Sequence, residues 1–469
     1  MANGRLSIGP VVDRATVERM HEAACETLSR TGILVEHAEI REQVLRRPGF
    51  RQSDGRVLIE PARVRAWLEA YHRRNAARPA PAEPDRVCLH AADLQTWVVE
   101  RDHKTVRPMT RADVIDGTKL IHMLGPRGVY PSTVGVPMDI PIFLRPLEQF
   151  MIAAEYSGGG GSTSQATSVP LAEVVREMNR VYGRDLYQSC WCHSTLRLAG
   201  PEVEIVWRFR TETKGVTVGT MPTMGITGPC DPIALCALSL AECIGGAVVL
   251  DAVLPGVPVG IFIHPEPADM HSGLMVCGSP EWELLDLMHR DVMSFYGIHL
   301  TAKLIHTSAS IPNVQAQAER ATGSLLGALG GYTDFGPIGQ LSIDEIWCSA
   351  QAILDLDIVA HALRVARGAE SAPELQLHRL PAVIDKVLRG GMLFAEHEST
   401  VGNMRYQYHR PDVLQRVTRR MWTEAGMPQV LDEAQKRADE LVASYDYQPP
   451  QDILRELRRI YEKGRQRLC

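Results

Sequence analysis

The chain has 10 cysteines and 16 histidines but no Cys-x-x-Cys and no His-x-x-x-His pair, so the local spacings that build most structural zinc sites are missing. The cysteines follow no repeating frame, which favours a reduced compartment over a disulfide scaffold. Positive charge is in deficit. Fifty Lys and Arg against 56 Asp and Glu leave a formal charge of −6, which gives no reason to expect nucleic acid as a partner. Met-Ala-Asn-Gly-Arg at the N-terminus lacks the apolar stretch of a signal peptide, and a cytoplasmic setting is expected. The glycine run Gly158–Gly161 has no Lys-Ser/Thr after it and reads as a loop rather than a phosphate cradle. Long apolar runs are scarce too. Only Ile233–Leu254 approaches a membrane span, and it carries Glu242 near its centre and Asp251 near its end. An acid at mid-bilayer is costly, so this run is expected to be core, broken by Gly245-Gly246 into a helix near 231–244 and a short strand near 246–250.

What is present is ordinary globular composition: 45% apolar and 23% charged residues over 469 positions, enough for one large domain or two to three smaller ones. Asp13 can cap a helix to about Arg30 whose apolar side is Val17, Met20, Ala24 and Leu28. Residues 1–110 read as an α+β extension of small elements, with a stiff Pro79-Ala-Pro-Ala-Glu-Pro84 spacer. From Thr110 onward, helices of about 12–18 residues alternate with short β-branched runs. The expected strands are Val129–Val134, Ser164–Thr167, Leu186–Trp191, Val216–Gly219, Val259–Ile263, Leu300–Ile305, Gly331–Phe335 and Met392–Ala395. Helices are expected near 145–156, 170–182, 201–213, 231–244, 280–296, 313–329, 342–365 and 411–425. Eight strands alternating with helices suit an α/β fold of the (β/α)8 barrel type over 111–426. Residues 427–469 form a charged helical tail. Its apolar stripe at 453, 454, 457, 460 and 461 is expected to pack on the barrel or on a second subunit, and a homo-oligomer is expected.

In such a fold the reacting groups sit where strands end. Those positions, which include Glu266 just past His264, make His306, His397 and Asp334 candidate catalytic groups, and Asp139, Trp191, His193, Met221, Met224, His264 and Glu396 candidate substrate contacts. Three readings compete. His264, His306 and His397 with Cys190 or Cys192 could hold zinc. Alternatively, Trp191 offers a ring face to a quaternary ammonium, Met221 and Met224 supply thioether walls, and Asp139 or Glu396 supplies a counter-charge. In the third reading each residue is plain core or solvated loop.

Several segments in order resemble one family: Met221-Pro-Thr-Met-Gly-Ile-Thr-Gly-Pro229, Ala237-Leu-Ser-Leu-Ala-Glu242, Pro255-Gly-Val-Pro258, Asp269-Met270, Gly278-Ser-Pro-Glu281, Ser310-Ile-Pro-Asn-Val-Gln-Ala316, the His397 region, and Arg410-Pro411 with Trp422 and Gly426. Together they resemble the trimethylamine methyltransferase superfamily, which includes glycine betaine methyltransferases, over roughly residues 15–460. The resemblance implies a (β/α)8 barrel that moves a methyl group from a methylated amine to the cob(I)alamin of a separate corrinoid protein. No cofactor or metal is then held tightly by the chain itself. Only standard residues occur, which places the chain with the branch that lacks pyrrolysine and implies a quaternary, betaine-type substrate. A zinc-dependent methyltransferase and a catalytically silent betaine-binding barrel remain the alternatives.

Overall fold

The computed structural model describes residues 6–76, 87–163, 166–300, 302–369 and 377–468. The expected 79–84 spacer and the start of the expected Ser164–Thr167 strand lie outside the described residues.

Asp13 caps the helix Arg14–Arg30 as expected, its carboxylate accepting from the Thr16 amide at 2.7 Å. Val17, Met20, Ala24 and Leu28 are buried and pack on the long helix Pro232–Val253. That helix corrects the sequence reading: Gly245-Gly246 does not break it. The glycines instead let it sit close to its neighbours. A Cβ at 245 would come 2.7 Å from the Leu28 side chain, and one at 246 would come 2.8 Å from the Cys192 sulfur and 2.9 Å from Val218. Removing side chains there costs helix propensity of about 0.5–1 kcal/mol each, offset by close packing on both sides. The helix is long and apolar enough to span a membrane, but 78% of its most apolar window is buried in the protein.

Three parallel strands, Leu186–His193, Thr213–Thr220 and Val259–Ile263, lie on that helix, with Cys190 opposite Val218 and Val218 opposite Ile261. Side chains alternate across a sheet. Here Cys190, Cys192, Val216, Val218, Ile261 and Ile263 are buried in the core that contains the helix. Trp191, Gly219, Phe262 and His264 therefore occupy the opposite, open face. A second parallel ladder joins Ala302–Leu304, Asp334–Gly336 and Cys88–Leu89, extended by a single bridge from Leu89 to Val129. Among the described residues no ladder pairs Val259–Ile263 with Ala302–Leu304. This is a mixed α/β fold with parallel strands alternating with helices.

Strand assignment departs from the sequence reading elsewhere too. Met392–Ala395 is not a strand: Phe394–Glu396 forms a 3-10 turn in which the Glu396 carboxylate accepts from the Leu393 amide at 2.8 Å. Cys88–Leu89, expected in the extension, instead borders Asp334–Gly336. Val129 alone of 129–134 bridges another strand; beyond it Pro131 removes a ladder donor. Trp97–Val99 pairs with Ile346–Trp347, and Leu34–Val35 with Arg197–Leu198, so sheets cross residue 110. The C-terminal helix Gln451–Leu468 buries Leu454, Leu457 and Ile460 in a cluster with residues of Arg145–Tyr156 and Val169–Val181.

Candidate functional site

His264 follows the strand Val259–Ile263, and its amide donates to the Thr220 carbonyl at 2.9 Å. Alternation then places Phe262 and His264 on the open face, their rings 5.9 Å apart and nearly parallel. Trp191 meets Phe262 edge-on at 6.2 Å and lies flat over Gly219, where a Cβ would fall 2.6 Å from its ring. The helix Pro280–Phe295 supplies two more rings. Trp282 sits 5.3 Å from His264 and stacks on His306 at 5.5 Å, while His289 abuts Phe262 at 5.1 Å. A continuous run of rings, Trp191–Phe262–His264–Trp282–His306, thus links the ends of strands in both ladders.

Glu266 belongs to this run. It is 3% exposed, and its Oε1 lies 3.3 Å from His264 Nδ1. That approach is not aligned as a hydrogen bond, and Nδ1 is buried without a hydrogen-bond partner. Its backbone anchors the Met-rich loop, since the Met224 amide donates to the Glu266 carbonyl at 2.7 Å. Among the described ion pairs, neither Lys nor Arg neutralises Glu266. On the far side of Trp282, the Cys277 sulfur sits 3.8 Å from His306 Nδ1, and Ser308 Oγ accepts from the Cys277 amide at 2.8 Å.

Burial keeps the His289 and His306 imidazoles neutral. Desolvation pushes His306 and His289 each down to about 3, and the neighbouring His264 adds to both shifts. His90, which follows Cys88–Leu89, is also lowered by burial, against the opposing charge of Asp334. A ring-lined surface with one buried carboxylate suits a cation better than an anion.

The expected site residues divide accordingly. Trp191, His264 and His306 are brought together by the ring run. Met224 is half-buried and Met221 is 44% exposed in the adjoining loop. His193 is exposed and touches Arg197 at 3.5 Å. Asp139 is exposed and caps a helix by accepting from the Arg111 amide at 2.8 Å, so it is not the counter-charge expected from sequence. Asp334 opens its strand rather than ending it, because the strand starts three residues later than expected. Glu396 and His397 end no strand. His397 is 4% exposed and caps the helix Glu398–Gln407 through Ser399, and among the described contacts none links it to the ring run. Cys190 and Cys192 face the helix side, and burial pushes the Cys190 thiol up to about 12, so the expected zinc ligands do not converge. Among the described residues no group of His, Cys, Asp or Glu is arranged to hold a metal ion.

Phe262, Trp282, His289, Cys277 and His90 were absent from the residues expected at strand ends, whereas Glu266 was among them. Glu266 carried a signal, two positions beyond His264 and so on the same face. Trp282 and His289 share a helix at spacing seven, which places them on one side, but sequence does not say what that side meets.

The depressed imidazoles predict acid sensitivity. Between about pH 3 and 6.5 the unfolded chain binds protons at His289 and His306 that the folded chain excludes, so stability rises with pH across this window and falls on acidification. Each histidine contributes a slope of up to about 1.4 kcal/mol per pH unit. In denaturant titrations, His289→Gln should flatten the slope by that amount; an unchanged slope would mean that native His289 is protonated.

The structure defines an α/β protein with a cation-compatible, ring-lined site at strand ends. The family model described as trimethylamine methyltransferase (MTTB) matches residues 4–468, and the chain belongs to that family. It is 25% identical to trimethylamine methyltransferase MttB2 of Methanosarcina mazei over 249 residues, 52% of this chain and 49% of that protein. Against glycine betaine methyltransferase of Desulfitobacterium hafniense it is 23% identical over 296 residues, covering 60% of this chain and 61% of the relative. The chain thus spans about half the length of the first of these curated relatives. The crystal structure of Methanosarcina barkeri monomethylamine methyltransferase aligns with 95% of this chain and 97% of its own at 11% identity, with a TM-score of 0.42, too loose a superposition to bear on the fold.

Proposed function

We propose that the chain is a methyltransferase moving a methyl group from a quaternary amine, such as a betaine, to the cob(I)alamin of a separate corrinoid protein. Its parallel strands would be staves of a (β/α)8 barrel formed mainly by residues 111–426, with Cys88–Leu89 added at one edge. The observation that carries this reading is Glu266, a buried carboxylate among aromatic and imidazole rings with no Lys or Arg partner among the described ion pairs. Buried charge demands a partner, and an onium ligand would provide one.

The reaction needs little acid–base help. A quaternary nitrogen already carries positive charge, so when the methyl carbon is attacked the C–N pair returns to nitrogen and a neutral tertiary amine leaves. No proton moves. The acceptor substrate supplies the nucleophile. The chain's own residues orient and dehydrate the onium: Trp191 and Phe262 present rings, Glu266 holds the charge, and Met221 and Met224 line the adjoining loop.

Mixing the chain, a quaternary amine and a reduced corrinoid protein should convert Co(I) absorbance to that of methylcob(III)alamin. Binding without that change would support a silent betaine-binding barrel, and activity lost to a chelator would support zinc. Trp191→Ala should weaken tetramethylammonium binding by about 1–2 kcal/mol, measured by calorimetric titration, and Trp191→Phe by less. Equal losses in the two variants would remove Trp191 from the onium site.

A further inference from the structure

The apolar stripe of the C-terminal tail is taken up by the chain itself, through Leu454, Leu457 and Ile460. A different apolar surface is left open. Between the helix Ser349–Ala366 and the Gln407 carbonyl, which accepts from Arg364 Nε at 2.8 Å, the described chain forms a two-helix arm, Leu380–Arg389 and Glu398–Gln407. Its polar contacts are internal. Lys386 Nζ meets Glu398 at 3.0 Å and Arg389 Nε meets Asp385 at 2.7 Å. Among the described residues, no hydrogen bond or ion pair ties residues 380–405 to the rest of the chain.

An amphipathic helix normally turns its apolar stripe toward something that covers it. Here the stripes are bare. Leu380, Ile384 and Leu388 recur every four residues on the first helix, where Val387 is buried and these three are exposed. Val401, Met404 and Tyr408 follow at spacings of three and four along the second, which buries no described residue. Leu393 and Phe394 stand open in the turn between them. These eight side chains are 38% to 74% exposed. Together they offer on the order of 800 Å², above the roughly 300–600 Å² of the largest apolar patch on a typical monomer. It is also about what each partner buries in a standard interface between proteins.

Two features identify the occupant. Residues 380–405 carry Lys386, Arg389 and Arg405 against Asp385, Glu396 and Glu398, a balance that selects neither an acidic nor a basic partner. The stripe Leu380–Ile384–Leu388 also reads the same from both ends, as a surface that meets its own copy across a two-fold axis requires. We infer that this arm is an interface between two copies of the chain, the helix Leu380–Arg389 packing antiparallel on its counterpart about an axis at Ile384. Leu380 then meets Leu388 of the partner subunit, and Ile384 meets itself.

Light scattering on the full chain at micromolar concentration tests this. Wild type should show twice the chain mass or an even multiple of it. Ile384→Glu should halve that mass with the circular dichroism spectrum unchanged, raising the dissociation constant about 100-fold or more because two charges would meet at the axis. Mild oxidation should link Ile384→Cys to its own copy, with wild type as the blank because Cys230 is exposed. Leu388→Cys should not link, since it would lie about 12 Å from its counterpart along the helices, beyond the roughly 7 Å between Cα atoms that a disulfide spans. A wild type that is monomeric or odd-numbered, an unchanged mass in Ile384→Glu, or equal linking of the two cysteine variants overturns the inference. So does a monomer that associates only with a corrinoid protein, which would give the arm to that partner. The wild-type mass and the cross-links decide the question even if Ile384→Glu folds poorly.

Discussion

Replacing Glu266 with glutamine should weaken tetramethylammonium binding by about 2–4 kcal/mol, roughly 30- to 1000-fold, while leaving the ligand-free protein as stable as before or more so. The two signs follow from one fact. Glu266 is 3% exposed, and its near neighbour, His264 Nδ1 at 3.3 Å, is not aligned to donate. Without ligand the carboxylate has no Lys or Arg partner among the described ion pairs; with an onium present it makes the main charge contact. Glutamine keeps the shape and removes the charge. Calorimetric titration reads the binding loss and thermal melting reads the stability. A variant that melts early yet binds onium normally would make Glu266 a structural acid and remove the main support for the proposed substrate class.

Lys303→Met should cost about 3–5 kcal/mol of folding stability. Lys303 is 1% exposed, and its ammonium lies between Glu283 and Asp286, whose side chains are 5% and 8% exposed. Truncating the cation strands two carboxylates in a low-dielectric region between the helices Pro280–Phe295 and Val314–Gly330. The pH dependence identifies the cause. Burial already raises the Glu283 carboxyl, and Lys303 opposes that shift; without Lys303 it rises further. A carboxyl with a raised folded-state pKa binds its proton more readily folded than unfolded, so the variant gains stability as pH falls. The gap between wild type and variant should therefore narrow on acidification in denaturant titrations. Adding Glu283→Gln should recover part of the loss. A gap that stays constant with pH would trace the damage to packing.

The same helix carries Trp282 and His289 into the ring run, so Lys303→Met also perturbs the site indirectly. Onium binding in that variant should be measured well below its melting temperature, where the helix is still docked.

Local signals made much of the fold legible. Asp13 capping Arg14–Arg30, the helices Arg145–Tyr156 and Pro280–Phe295, and the β-branched run ending at His264 each needed only spacing and capping chemistry. Short elements were not legible. Met392–Ala395 and Cys88–Leu89 are both brief apolar runs, and nothing within either says that the second finds a parallel partner in Asp334–Gly336 while the first closes into a turn. Gly245-Gly246 misled for a related reason. Glycine weakens an isolated helix, yet here it is what lets Leu28 and Cys192 approach, which depends on neighbours from 50 to more than 200 residues away.

The amino-acid order by itself determined the alternation of helices and strands, the family motifs and the histidines just past strand ends, because periodicity and capping act within a few residues. Tertiary structure alone decided that Trp191, Phe262, His264, Trp282 and His306 form one surface with Glu266 against it, while Asp139 caps a helix and Glu396 closes a 3-10 turn. Those are matters of distance between strand ends and a helix face, and burial, which keeps the His289 and His306 imidazoles neutral, exists only once the chain has folded.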